Sequence, residues 1–275
     1  MNKRVLITGG TGFVGHQVLR HLKKEDVRLT VVLRDDKRLA HLDRNSVDTV
    51  VTTPDLFHET AAWWENCLQG IDTVIHVAWY AEPGKYLQST KNLDCVQGTL
   101  NLARGAVQAG VRRFIGIGTC FEYDLSHGKL SVETPLKPLT PYAGAKAATY
   151  MALSQCLPAQ SVEFAWCRLF YLYGEGEDDR RLVPYLRAKL TKGEPAELTS
   201  GSQIRDFMNV NDAGRLIVET ALGTVHGAIN ICSGIPITVR NLAENIADEY
   251  GRRDLLIFNA RPDNLIDPIC VVGLK

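Results

Sequence analysis

Along the first two-thirds of the chain, short apolar runs rich in β-branched residues alternate with longer stretches whose apolar positions recur every three or four residues. The runs Val5–Thr8, Leu29–Leu33, Val47–Val51, Thr73–Ala78, Phe114–Ile117 and Val162–Leu169 predict buried strands. The stretches 13–24, 59–69, 86–109 and 142–157 predict amphipathic helices. Strand–helix alternation at this spacing predicts an α/β fold, a doubly wound parallel sheet with right-handed crossovers. Near residue 175 the rhythm changes. Helical patterns at 182–192, 212–222 and 239–250 are now separated by Gly/Pro-rich connections and short strands near 196–199, 207–210, 228–232 and 255–258. The expected organisation is a large domain over residues 1–175 and a smaller substrate-binding lobe over 176–275, with a discontinuous boundary and the substrate in the cleft between them.

Composition narrows the function classes. Lys+Arg and Asp+Glu number 31 each in 275 residues, and no long block of like charge occurs. A nucleic-acid or membrane-surface partner would need such a block, so neither is expected. The N-terminus runs straight into a strand pattern without a signal-peptide profile or a long apolar span, which predicts a cytoplasmic protein. Seven cysteines are scattered with no Cys-x-x-Cys pair and no clustered histidines, so free buried thiols and no metal are expected.

The first strand ends in Thr-Gly-Gly-Thr-Gly-Phe-Val-Gly, residues 8–15, and an amphipathic helix follows directly. Gly9, Gly12 and Gly15 suit a tight turn whose backbone N–H groups approach a pyrophosphate at the positive end of the helix. Thr11, Phe13 and Val14 lie in the same turn. A strand, a glycine turn and a helix in this order predict a Rossmann-type dinucleotide site. At the end of the second strand, the position where NAD-binding folds carry a carboxylate for the ribose falls on Leu33, and Arg34 comes next. That favours NADP(H). NAD(H) stays open, because Asp35 could serve it and Arg34 and Arg38 could simply be solvated. Asp55 and Leu56 after the third strand are placed for the adenine, with a plain turn aspartate as the alternative. Ala78, in the turn after the fourth strand, joins the cofactor set.

Pro141 at a helix start is followed by Tyr142 and Lys146, an i, i+4 pair on one helix face. A phenol ordinarily holds its proton to about pH 10, and a nearby ammonium stabilises the phenolate. Tyr142 could then protonate a carbonyl oxygen, or deprotonate an alcohol in reverse. Lys146 could also hold the ribose hydroxyls. Thr119, at the end of the strand Phe114–Ile117, is placed to hydrogen-bond the same oxygen.

Together these residues resemble the extended short-chain dehydrogenase/reductase family, in its branch acting on nucleotide sugars. Gly9, Gly12 and Gly15 match that family's cofactor turn, and Thr119, Tyr142 and Lys146 match its catalytic set. Gln203-Ile204-Arg205-Asp206-Phe207 and Arg261-Pro262 resemble its two diphosphate-gripping elements, which implies Arg205 and Arg261 as ligands of a nucleotide-diphosphate sugar. Leu182-Val183-Pro184 resembles the segment beside the nucleotide base, so Val183 is expected there. Trp79 stands where the family usually has a small residue and is expected to narrow the sugar pocket.

Other departures bear on the reaction. Related dehydratases carry an Asp-Glu pair after the catalytic Thr; here Cys120-Phe121 stands in that place, which argues against dehydration. Cys95 stands where the family often has Asn before Gly98-Thr99, which puts a relay through that Asn in doubt. The family usually runs on further after the Arg-Pro element, so a short or incomplete lobe is expected. The resemblance implies a homodimer formed through 86–109 and 142–157, where Leu93, Val96, Leu100, Ala103 and Val107 could serve either a core or that seam.

The favoured reading is a reductase of a nucleotide-linked 4-keto-6-deoxy sugar. The alternatives are a 4-epimerase with tightly held NAD and a cofactor-sensing protein without chemistry. Cys120 could act as an acid/base for a neighbouring carbon, though packing accounts for it more simply.

Overall fold

The structure is a computed structural model that describes residues 2–35, 47–264 and 267–275. In the first part, β1 (Lys3–Thr8) leads through α1 (Phe13–Leu22) to β2 (Val27–Leu33), β3 (Thr49–Thr52) and α2 (Ala61–Cys67). Then come β4 (Thr73–His76), α3 (Lys91–Gln108), β5 (Arg113–Thr119), β6 (Lys129–Leu130), α4 (Pro141–Ala159), β7 (Glu163–Leu169) and β8 (Tyr171–Tyr173). The rest of the chain forms α5 (Leu182–Lys192), β9 (Ala196–Glu197), β10 (Ile204–Asn209), α6 (Val210–Leu222) and β11 (Gly227–Ile231). It ends with β12 (Pro236–Thr238), α7 (Val239–Asp248), β13 (Leu256–Ile257) and β14 (Cys270–Gly273).

Seven strands make one sheet in the order β11-β7-β5-β4-β1-β2-β3, and every pairing in it is parallel. This is the doubly wound architecture expected from the sequence. Residue alternation along the strands divides the core into two layers. Val5, Ile7, Val31, Ile75 and Ile115 face α1 and α6 on one side. Leu6, Val32, Val74 and Phe114 face α2, α3 and α4 on the other. The register places Thr8 beside His76, and Thr119 beside Leu169, so the strands' carboxyl ends form one edge. In open parallel sheets that edge is where ligands bind.

The chain beyond residue 175 does not stay together. Helix α6 packs on α1, and β11 extends the large sheet beside β7. The later strands β10, β12 and β14 join β6 and β8 from the first part in a second, smaller sheet, ordered β12-β10-β14-β6 with β8 also paired to β10. The buried Asp206 carboxylate fastens it by accepting the backbone N–H groups of Ser233, Gly234 and Gly273 at 2.8, 2.8 and 3.1 Å. A third apolar cluster joins α5 and α7 through Val183, Leu186, Leu190, Ala243 and Ile246.

Two departures from the sequence pattern have local causes. The helix expected over 86–109 breaks into a 3-10 turn, Tyr86–Gln88, and α3 from Lys91. There the Asn92 side-chain amide donates to the carbonyls of Tyr86 and Ser89 at 2.7 and 2.8 Å, taking the place of helical N–H partners. The strands β6, β8, β12 and β14 span two to four residues, too few for an alternation to register. Among the described residues, no helix is long and apolar enough to cross a membrane.

The join between β1 and α1 has no room for a side chain. A Cβ on Gly15 would lie 2.0 Å from the Gly9 carbonyl oxygen. Gly15→Ala should therefore destabilise the fold by about 3 kcal/mol or more, read as a lower thermal midpoint, since overpacking a rigid backbone contact has no cheap relaxation.

Candidate active site

A cleft of about 800 Å³ runs along the carboxyl edge of the large sheet. At one end, Gly9 has φ +72° and a Cβ there would meet the Ala78 backbone nitrogen at 2.6 Å, so only glycine fits. Gly12 caps α1 without a side-chain acceptor, and the first turn of that helix carries no acidic residue. A Cβ on Gly12 would meet only the Gly9 carbonyl within 4 Å, so that face stays open. An open glycine face over a helix N-terminus fits a pyrophosphate. Thr11, Phe13, Val14 and Gly15 line the same stretch.

The second strand ends in Leu33, which lines the cleft, with the exposed Arg34 beside it; Arg38 lies outside the described residues. Asp55 and Leu56 also line this part. The Asp55 carboxylate accepts the Phe57 N–H at 3.0 Å and pairs with His58 at 3.2 Å, so it shapes its own turn as well.

The reactive end is assembled by β5 and α4. Helix α4 starts cleanly, because the Thr140 hydroxyl accepts the Ala143 N–H at 3.2 Å and Pro141 stands in the first turn. Tyr142 and Lys146 then both line the cleft, opposite Thr119. Thr119 is the last residue of β5 and caps the next turn, accepting the Phe121 N–H at 3.3 Å while its own N–H donates to Glu122 at 2.8 Å.

Glu122 is fully buried and pairs with buried Arg168 at 2.7 Å. It also accepts the Trp166 indole N–H at 3.0 Å. Arg168 donates to the Tyr123 hydroxyl at 2.9 Å, and that hydroxyl donates to Asn230 at 2.7 Å. The sequence reading missed this network, since nothing in the spacing joins residues 122, 168 and 230.

Burial sets the proton affinities here. Tyr142 is pushed well above the ordinary phenol range, first by burial and then by Tyr86 and Glu122, against a hydrogen bond with Thr119 that lowers it. The phenol is therefore protonated near neutral pH. Lys146 is pushed down to about 7 by burial, and its ammonium donates to the Ile117 carbonyl at 2.5 Å. His76, beneath the cleft, is pushed down to about 3 by burial and by Lys146. It sits neutral between the hydroxyls of Thr8 and Thr99 at 2.8 and 2.9 Å.

Of the residues expected at the substrate, Trp79, Cys120, Phe121 and Arg205 all line the cleft. Burial raises the Cys120 thiol far above its ordinary range, which leaves it a packing group rather than a base. Arg205 is only 3% exposed, donates to Asp267 at 2.7 Å and lies over the Tyr171 ring at 5.3 Å.

Two expected substrate residues stand elsewhere. Val183 turns into the α5–α7 cluster, and its neighbours Arg181 and Leu182 line the cleft instead. Arg261 has a half-exposed side chain outside the cleft, over the Tyr185 ring at 5.2 Å. A motif match aligns residues but not the rotation of a helix or the direction of a loop side chain, so it does not decide which of several neighbours enters the cleft. Tyr86, Glu177, Phe207 and Asp267 line the cleft without having been foreseen. Among the described residues no group of His, Cys, Asp or Glu could hold a metal.

The buried lysine has a stability consequence. Its unfolded form stays protonated to about 10.5, while the folded form releases its proton near 7. Between those values unfolding takes up a proton, so this group makes stability rise with pH across that window, and its penalty is largest below 7. Lys146→Met should therefore raise the thermal midpoint at pH 6, with the gain shrinking steadily from pH 7 to pH 10.

The chain is 23% identical over 273 residues to dTDP-6-deoxy-L-talose 4-dehydrogenase (NAD(+)) of Aggregatibacter actinomycetemcomitans, covering 98% of this chain and 99% of that one. It is 24% identical over 266 residues to dTDP-6-deoxy-L-talose 4-dehydrogenase (NAD(P)(+)) of Kitasatospora kifunensis, covering 90% and 79%. Its fold superposes with a TM-score of 0.87 on UDP-N-acetylglucosamine 4-epimerase from Methanobrevibacter ruminantium M1 in complex with UDP-N-acetylmuramic acid, at 20% identity over 99% of this chain and 89% of that one. The profile of one family matches residues 5–232, from the first strand through the edge strand β11. The chain belongs to the NAD dependent epimerase/dehydratase family.

Proposed function

We propose that the protein is an NAD(P)H-dependent reductase of a nucleotide-linked keto sugar, with a 4-keto-6-deoxyhexose as substrate class. The observation that carries this reading is the convergence of Thr119, Tyr142 and Lys146 on one cleft, with the non-acidic Cys120 and Phe121 following Thr119. The two dehydrogenases of deoxytalose nucleotides among the relatives support the substrate class.

When bound, the reduced nicotinamide supplies the hydride. The chain's own residues handle the oxygen. Thr119 holds it by a hydrogen bond from its hydroxyl, and Tyr142 gives it the phenolic proton. The Lys146 ammonium, in a site of low effective dielectric, stabilises the phenolate left behind. Elimination of water across the neighbouring carbons would need an acid and a base beside Thr119, and a buried neutral thiol and a phenyl ring supply neither. Arg205, which lines the cleft, is assigned in this reading to the diphosphate, and Leu33 with Arg34 favours NADP(H) over NAD(H).

The decisive measurement is oxidation of NADPH and NADH against a panel of nucleotide-linked 4-keto-6-deoxy sugars, with product stereochemistry read by NMR. Stoichiometric loss of reduced cofactor is expected. Interconversion of sugar 4-epimers with no net redox would replace this reading with the epimerase. Tyr142→Phe should lower kcat by roughly 10²- to 10⁴-fold. Turnover left intact in that variant would remove the catalytic assignment and revive a sensing role. Arg34→Ala should raise the KM for NADPH by about tenfold or more while leaving NADH unaffected, the loss expected for a hydrogen bond to a charged group.

A further inference from the structure

An indole face covers Lys146. The Lys146 ammonium lies 3.7 Å from the centroid of the Trp79 ring, and a second indole, Trp166, lies 5.7 Å away. An ammonium has three protons to place, and Ile117 takes one. A π-face at this distance attracts a cation, and more strongly where water is excluded.

Trp79 is not free to turn. Its indole N–H donates to the Asn92 side-chain oxygen at 2.8 Å. The Asn92 amide in turn donates to the carbonyls of Tyr86 and Ser89, so all its polar atoms are in use. The Tyr86 ring then stands edge-on to the Tyr142 ring, with centroids 4.8 Å apart. One buried amide thus fixes both the roof over the lysine and the wall against the tyrosine.

We propose that Trp79 is a positioning residue for Lys146: its indole face, locked by Asn92, seats the buried ammonium and keeps it charged beside Tyr142 without water. This rests on the reductase reading above for its purpose, but not for its geometry. The titratable groups that act on Lys146 are Glu122 from the turn after β5, Cys95 from α3 and His76 from β4, and Tyr142 of its own helix lines the same cleft. Glu122 favours the charged amine, Cys95 is pushed up to about 11 by burial and is a neutral thiol near pH 7, His76 is neutral, and burial opposes the charge. The indole face adds to the favourable side.

The test uses Trp166 as a built-in reporter. Tryptophan emission is recorded against pH and corrected with Lys146→Met, which has no amine to titrate. The intact protein should show a transition with its midpoint near 7. Trp79→Leu keeps an apolar roof but removes the π-face, and it should move the midpoint down by about one pH unit. Trp79→Phe restores a face and should bring it back to within a few tenths. The alkaline limb of kcat/KM should shift in parallel. A midpoint that stays in place or rises in Trp79→Leu overturns the proposal. Should Trp79→Leu fail to fold by circular dichroism, Trp79→Met makes the same comparison. If no keto sugar is reduced but the midpoints move as stated, the positioning role stands and only the reaction is wrong. If reduction is found and the midpoints do not move, the reaction stands without Trp79.

Discussion

The buried pair of Glu122 and Arg168 is the interaction on which the reactive end of the cleft depends. Taking two charges out of water is expensive, and removing one partner leaves the other stranded at a cost of about 3–5 kcal/mol. The Thr119 N–H, the Trp166 indole and the Tyr123 hydroxyl all bond to the pair, while one buried guanidinium nitrogen of Arg168, Nη2, has no hydrogen-bond partner among the described residues. Those same bonds bend the chain after β5. The turn that carries Thr119 towards Tyr142 therefore comes from a polar knot under the sheet, and Cys120 and Phe121, which line the cleft, ride on it.

Lys146, His76 and Tyr142 each sit where burial works against the charged form. A site of this kind stabilises an isolated charge poorly, but charges within it act on one another more strongly than in bulk water, because the effective dielectric is lower. A positively charged nicotinamide ring would find a phenol and an amine whose proton affinities respond sharply to it. The fold carries this at a cost to its own stability, which the two apolar layers of the large sheet offset.

Much of the architecture was legible in the sequence. The strands of the large sheet are long, apolar and separated by amphipathic helices, and the glycine turn fixes where the cofactor end begins. The cleft residues that follow from local rules were legible too: Gly9, Gly12 and Gly15 by backbone geometry, Tyr142 with Lys146 by helical spacing. What the sequence did not carry was anything set by rotation or by long-range pairing. Val183 and Leu182 differ by one step on a helix, and that step decides which enters the cleft. Arg261 is held by its neighbours Tyr185 and Glu197 from segments far away in the chain. The short strands of the second sheet exist because Asp206 and their partners hold them, not because of their own pattern.

Arg205 already has a carboxylate partner, Asp267, at 2.7 Å. An anion arriving there would meet a cation whose charge is already partly balanced. Charge alone would therefore give it less than a bare guanidinium would, and its fit to the N–H donors that Ile204 and Asp267 leave over would count for more.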